Sequence, residues 1–255
     1  MSAIKLSPTY SATVNAIAEL YLTRRRQPSL RTLVPALAQW VQANQEHNRL
    51  ESGHLNVFRF MRPGEITHSR LLAFFLDAQA AHGQGTLFLT QFLKQIDICE
   101  PSCGPWLVTA EAGRVDVLLR RAHPHAVVVI ENKSNYAPDQ PNQLYRYWHK
   151  QIYLAQLARK CSAAERQTPS RTQYRVIYLA PAVNKQPDSH AICRPDGWEL
   201  KWPELPSVVP LGLVEHHQFG LLIVAWLTAC LAQLPPNNHR LRQFTQQYLQ
   251  FWQTL

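Results

Sequence analysis

The chain has 255 residues, 46% of them hydrophobic, ample for one large domain or one domain with helical additions. Its net charge of +9, from 26 Lys and Arg against 17 Asp and Glu, suits a polyanionic partner bound in a salt-dependent way. The longest apolar stretch, Phe219 to Ala232, is too short to span a bilayer, and Met1 to Ser7 carries no signal-peptide pattern. Five scattered cysteines (Cys99, Cys103, Cys161, Cys193 and Cys230) make neither a disulfide framework nor a zinc site, so a reducing, cytoplasmic setting without membrane contact is expected.

In chain order, Tyr10 to Arg26 reads as a helix with Val14, Ile17 and Tyr21 on one stripe. A second starts near Thr32, with Pro35 in its first turn and an apolar face of Leu33, Leu37, Trp40 and Val41. Gly53 and Pro63-Gly64 punctuate the approach to a helix from Glu65 to about Asp77. A turn over Ala78 to Gly85 leads to a helix carrying Leu87, Phe88, Phe92 and Leu93. Strands are expected around Trp106 to Ala110, at Val115 to Leu119 and at Val127 to Ile130, the last two rich in β-branched residues. After a helix carrying Gln143, Arg159 to Thr172 reads as a loop and Tyr174 to Ala180 as a core strand. Asn184 to Pro206 reads as irregular, Ser207 to Val214 as a short strand, and His217 to Leu234 and Asn238 to Leu255 as helices. The first of these two is apolar almost all round (Leu221, Leu222, Val224, Trp226, Leu227), which marks core or a dimer contact. This order predicts the α/β class: a small mixed central sheet with helices on both sides. It is read as a single domain over residues 1–255, with a core of about 54–180 and helical extensions over 1–50 and 207–255.

The chemistry concentrates between Arg114 and Tyr147. If the turn after the Asp116 strand centres on His123-Pro124, Asp116 falls directly opposite Glu131, and opposed residues of an antiparallel pair share a face. Lys133, two residues on, shares it too. Slipping the register by one residue would bury an unpaired charge, which is costly. Two carboxylates so close repel unless a cation intervenes, and hard oxygen ligands suit Mg²⁺ or Mn²⁺. The competing reading is an ordinary cross-strand ion-pair cluster, although exposed pairs are worth only about 0–1 kcal/mol. Gln143 and Tyr147, four apart, lie on one helix face. Among the arginines, Arg114 and Arg146 stand nearest this constellation, whereas Arg24 to Arg26 read as a solvated helix end.

Asp116, Glu131-Asn132-Lys133 and the Gln143-x-x-x-Tyr147 pattern resemble the PD-(D/E)XK nuclease superfamily, which includes restriction enzymes and λ-type exonucleases. His68-Ser69 with Leu71-Leu72, then His82-Gly83-Gln84-Gly85, look like a bacterial and phage subfamily with an HS-x-LL helix, an HG-x-G turn, an R-x-D strand and an IENK strand. The similarity covers about residues 45 to 180, and Val115 stands where the superfamily's name has Pro. The resemblance implies a restriction-endonuclease-like core and metal-dependent hydrolysis of phosphodiester bonds, in DNA rather than RNA because most relatives act on DNA. It implies Asp116, Glu131 and the backbone carbonyl of Asn132 as ligands of Mg²⁺ or Mn²⁺, with Glu65 reaching the metal through water. It further implies Lys133 as the catalytic lysine, Gln143 as orienting a water or a phosphate, and Tyr147 as its support. His68 and Ser69 compete with Glu65 for a part in the site, and Glu65 could instead be a helix N-terminal acid serving the macrodipole. Arg114, Arg146, Ser134 and Asn135 are candidates for nucleic-acid contact. The alternative is a silent nuclease-fold subunit that binds nucleic acid or protein, for example in a defence or repair assembly. Endo- versus exonuclease action and homodimerisation stay open at this stage.

Overall fold

The computed structural model describes residues 30–52, 55–98, 104–210 and 212–253. The helix expected over Tyr10 to Arg26 lies outside the described residues. The chain divides into two compact units, Met1–Val57 and Phe58–Leu255. In the first, helix α1 spans Leu30–Glu51, starting two residues before the expected Thr32, with Pro35 inside the helix just past its first turn. A proline there removes one backbone donor, a loss that a 22-residue helix tolerates. Leu37 and Val41, expected to pack, are exposed.

The second unit is built on one five-stranded sheet in the order β1-β2-β3-β4-β5. Its strands are β1 Trp106–Ala112, β2 Val115–Arg121, β3 Ala126–Asn132, β4 Tyr174–Ala180 and β5 Val214–Gln218. The first three pair antiparallel and the last three parallel, so the sheet is mixed. The helices that precede β1 are α2 Val57–Met61, which starts at the unit boundary, α3 Glu65–Leu76 and α4 Leu87–Gln95. Between β3 and β4, α5 Gln143–Tyr147 continues through a π-helical stretch, Trp148–Tyr153, into α6 Leu154–Ala158, and α7 Ala163–Gln167 follows. Two single turns, α8 Ser189–Ile192 and α9 Trp198–Lys201, link β4 to β5, and α10 Phe219–Gln233 and α11 His239–Gln253 complete the unit.

Strand residues alternate between faces, and the core splits accordingly. Val117, Leu119, Val128, Ile130, Ile177 and Leu179 pack with α3, α4, α10 and α11 on one face. Leu118, Val127, Val129, Val176 and Tyr178 pack with α5 and the π-helical stretch on the other. Asp116 and Glu131 fall in phase with this second set.

Two expectations shift. The strand predicted over Ser207 to Val214 begins only at Val214, because Pro206 and Pro210 offer no backbone donor and Gly212 turns the chain at φ +73°. Residues 207–210 contribute one isolated bridge, Cys193 to Val208. The loop predicted over Arg159 to Thr172 contains α7, opened by a capping box between Ser162 and Glu165. Among the described residues no helix is long and apolar enough to cross a membrane.

Helix α10 is a core element with one wet side. Trp226 is fully buried, donates its indole N–H to the Phe88 carbonyl at 2.7 Å and meets Phe92 edge-on at 5.2 Å, whereas Leu221 is 59% exposed. Trp226→Ala is expected to cost about 3–5 kcal/mol in urea unfolding. Leu221→Ala should change stability by no more than about 0.5 kcal/mol, and equal losses would contradict this orientation.

Candidate active site

The β2–β3 register is the one expected from the sequence: Val117 pairs with Ile130 and Arg121 with Ala126, so the next step of the ladder sets Asp116 against Glu131. Asp116 Oδ2 accepts the Asn132 amide at 2.6 Å. Burial first, and the neighbouring Glu131 charge second, push the Asp116 carboxyl up to about 8. Glu131 is 2% exposed, and burial raises its pKa against the opposing pull of Lys133. Lys133 Nζ lies 2.7 Å from Glu131 Oε1 and 3.3 Å from Asp139 Oδ1. Burial works to lower its pKa, but the two acids outweigh that effect and leave it raised, so the lysine is an ammonium.

Helix α5 brings two more of the expected residues onto this face. Gln143 Nε2 donates to Glu131 Oε1 at 2.9 Å and to the Tyr147 hydroxyl at 3.0 Å, while its Oε1 accepts from Lys133 Nζ at 3.2 Å. The amide thus turns its oxygen to the ammonium and its nitrogen to the carboxylate. Tyr147 donates its O–H to the Arg114 carbonyl at 2.5 Å. Its pKa is raised, first by burial and then by Glu131, so it stays a protonated donor. Arg114 sits at φ +71° in the Gly113-Arg114 turn between β1 and β2, and the Tyr147 bond fixes that turn.

Asn132 faces the opposite layer. Its Nδ2 donates to the Glu65 carbonyl at 2.8 Å and to Ser69 Oγ at 2.9 Å, and Ser69 Oγ donates to the same carbonyl at 3.0 Å. Ser69 therefore holds the strand end rather than touching the acids. The Glu65 side chain accepts the Asn135 amide at 3.3 Å. Among the described residues no three His, Cys, Asp or Glu side chains converge as a metal site would, so Glu65 does not join Asp116 and Glu131 in a three-acid cluster.

The structure does not bring His68 to the site. It bonds the Tyr248 hydroxyl at 3.0 Å beside Phe219 and Trp252, and burial lowers its pKa to about 4, which marks a neutral core histidine. Ser134 is buried with its amide turned to Asn132 Oδ1 at 3.0 Å, so only Asn135 of that candidate pair is exposed for contact.

Two residues near the acids escaped the sequence reading. Asp139 lies in a Pro-rich loop with no motif spacing to flag it, and Lys150 sits in the π-helical stretch. Arg114, Arg146 and Lys150, with Gly113, Gln140, Gln143 and Tyr147, line a cleft of about 370 Å³ that opens onto Asp116. Gly113 sits at φ +65°, a conformation that favours glycine, beside Lys150 Nζ.

The donor set fits a hard divalent cation. Glu131 Oε2 is buried, and no hydrogen bond from the described residues reaches it. Beside it stands a second carboxylate whose ionisation Glu131 opposes. A cation taking both acids would satisfy the orphan oxygen and remove the repulsion.

A mixed sheet between helical layers, with Asp116 and Glu131 on one strand pair and Lys133 just past its end, defines a restriction-endonuclease-like α/β core. A family model described as PD-(D/E)XK nuclease superfamily matches residues 55–250, and the chain belongs to that superfamily. Proteins of this superfamily are usually nucleases, and these generally use divalent metals. No curated protein and no solved structure matches the chain.

The raised Asp116 carboxyl makes stability pH-dependent without metal. Its folded value, about 8, lies above its ordinary 3.8, so the protonated form favours folding at acid pH and that contribution is lost as pH rises through about 8. In EDTA, the denaturation midpoint of the wild type should fall between about pH 4 and about pH 8 and level off above that, and Asp116→Asn should flatten this fall. Parallel profiles for the two proteins would contradict the placement of Asp116.

Proposed function

We propose that this chain is a metal-dependent nuclease hydrolysing phosphodiester bonds in DNA. The observation that carries the reading is the buried carboxylate pair, Asp116 and Glu131, with Lys133 alongside and one Glu131 oxygen without a hydrogen bond from the described residues. Bound by these two acids and the Asn132 carbonyl, Mg²⁺ or Mn²⁺ supplies Lewis acidity toward a phosphoryl oxygen and lowers the pKa of a water. Lys133, held as an ammonium, orients the attacking water or offsets charge growing on the phosphoryl oxygens. Gln143 keeps Lys133 and Glu131 at a fixed separation by bonding both. Arg114, Arg146 and Lys150, along the cleft beside Asp116, contact phosphates next to the scissile one and set the register of the strand. Arg146 and Lys150 are like charges four residues apart, an arrangement that repels without an anion. Every position needed for cleavage is filled, which favours catalysis over a silent binding subunit.

Plasmid and linear DNA should be degraded in Mg²⁺ or Mn²⁺ and left intact in EDTA. Lys133→Ala should lower kcat about 10²–10³-fold with an unchanged circular dichroism spectrum, and undiminished cleavage by this variant would contradict the proposal. Separately, Arg146→Ala should weaken DNA binding across sequences and reduce the slope of log Kd against log salt by about 1, measured by fluorescence anisotropy in EDTA. An unchanged slope would remove Arg146 from the phosphate contacts.

A further inference from the structure

Lys133 stands between two acids, and only one of them is a candidate ligand. Glu131 Oε1 is 2.7 Å from Nζ and Asp139 Oδ1 is 3.3 Å from it. The Asp139 side chain is 1% exposed and firmly held. Tyr178 donates its hydroxyl to Asp139 at 3.0 Å to Oδ1 and 3.2 Å to Oδ2, and the Asp188 amide donates to Oδ2 at 2.8 Å. Lys185 Nζ is 4.0 Å from Oδ2, at the limit of an ion pair. The His190 ring bonds the Asp139 carbonyl at 3.2 Å, so the backbone is fixed as well. Asp139 thus arrives from the loop after Lys133 and is locked by residues of β4 and of the segment leading into α8.

This arrangement matters for what Glu131 can do. A cation and the Lys133 ammonium compete for the same carboxylate, and a lysine with Glu131 as its sole buried counter-charge would be costly to displace. We infer that Asp139 is a positioning residue that holds Lys133 back, sharing its charge so that Glu131 can accept a divalent cation while the ammonium stays in reach. Asp139 acts on Lys133 and only through it on the metal. The inference rests on the nuclease reading above, because it needs Glu131 to be a ligand.

The alternative for Asp139 is a loop anchor, and a double-mutant cycle separates the two. Isothermal titration with Mn²⁺ alone would be run on wild type, Asp139→Asn, Lys133→Met and the double variant, with unfolding temperatures recorded for each. The asparagine can still accept from Tyr178 through its one oxygen, while losing the charge and the acceptor for the Asp188 amide. Asp139→Asn is expected to weaken Mn²⁺ binding about tenfold or more where Lys133 is present. In the Lys133→Met background the same change should move Kd by no more than about twofold. Tyr178→Phe, which removes one bond to Asp139 but leaves its charge, should weaken binding less than Asp139→Asn does. A tenfold loss persisting in the Lys133→Met background, or an equal loss in Tyr178→Phe, would make Asp139 a loop anchor and overturn the inference. So would wild-type affinity in Asp139→Asn, a result that leaves the nuclease reading standing. Failure of the wild type to bind Mn²⁺ would instead remove that reading and this inference together.

Discussion

Two carboxylates packed against each other in a protein interior resist being ionised at once, and Asp116 and Glu131 are such a pair. One buried ammonium, Lys133, offsets part of that charge, and Asp139 claims a share of it. The site is therefore short of positive charge by construction. A divalent cation would relieve the deficit, and Arg114, Arg146 and Lys150 bring further positive charge to the cleft that Asp116 lines.

The fold makes this tension stable by gripping one strand end from both layers. β3 is buried along its whole length, between antiparallel β2 and parallel β4. Its alternation sends Glu131 toward α5 and Asn132 toward α3, and Lys133 follows Glu131 beyond the strand. Asn132 is then fastened to Glu65 and Ser69 while Glu131 is fastened to Gln143. The π-helical stretch begins one residue after Tyr147, so regular α-helical spacing serves Gln143 and Tyr147 and changes only where Lys150 joins the cleft.

What could be read in the sequence was whatever local periodicity controls. The β2 and β3 strands, their register and the Gln143–Tyr147 pairing follow from alternation, a turn and a helical repeat, and all three stand in the structure. Helix α3 was also readable, but not the division of labour on it. His68 and Ser69 are neighbours, and whether the core took one and the strand end the other depended on where α11 packs. Strand β5, with the sequence Val-Glu-His-His-Gln, lacks the apolar alternation that marks a strand and forms by pairing with β4. Asp139 was beyond reach because its meaning comes from Tyr178 and Asp188, brought to it by the return of the chain through β4.

The most direct measurement of the central claim is the anomalous scattering of Mn²⁺ diffused into crystals of the wild-type protein. One strong peak is expected, coordinated by the Asp116 and Glu131 carboxylates and the Asn132 carbonyl, with Lys133 still within hydrogen-bond reach of Glu131 or Asp139. A saturated crystal with no peak between the two acids, or with manganese held elsewhere and the acids turned apart, would contradict it.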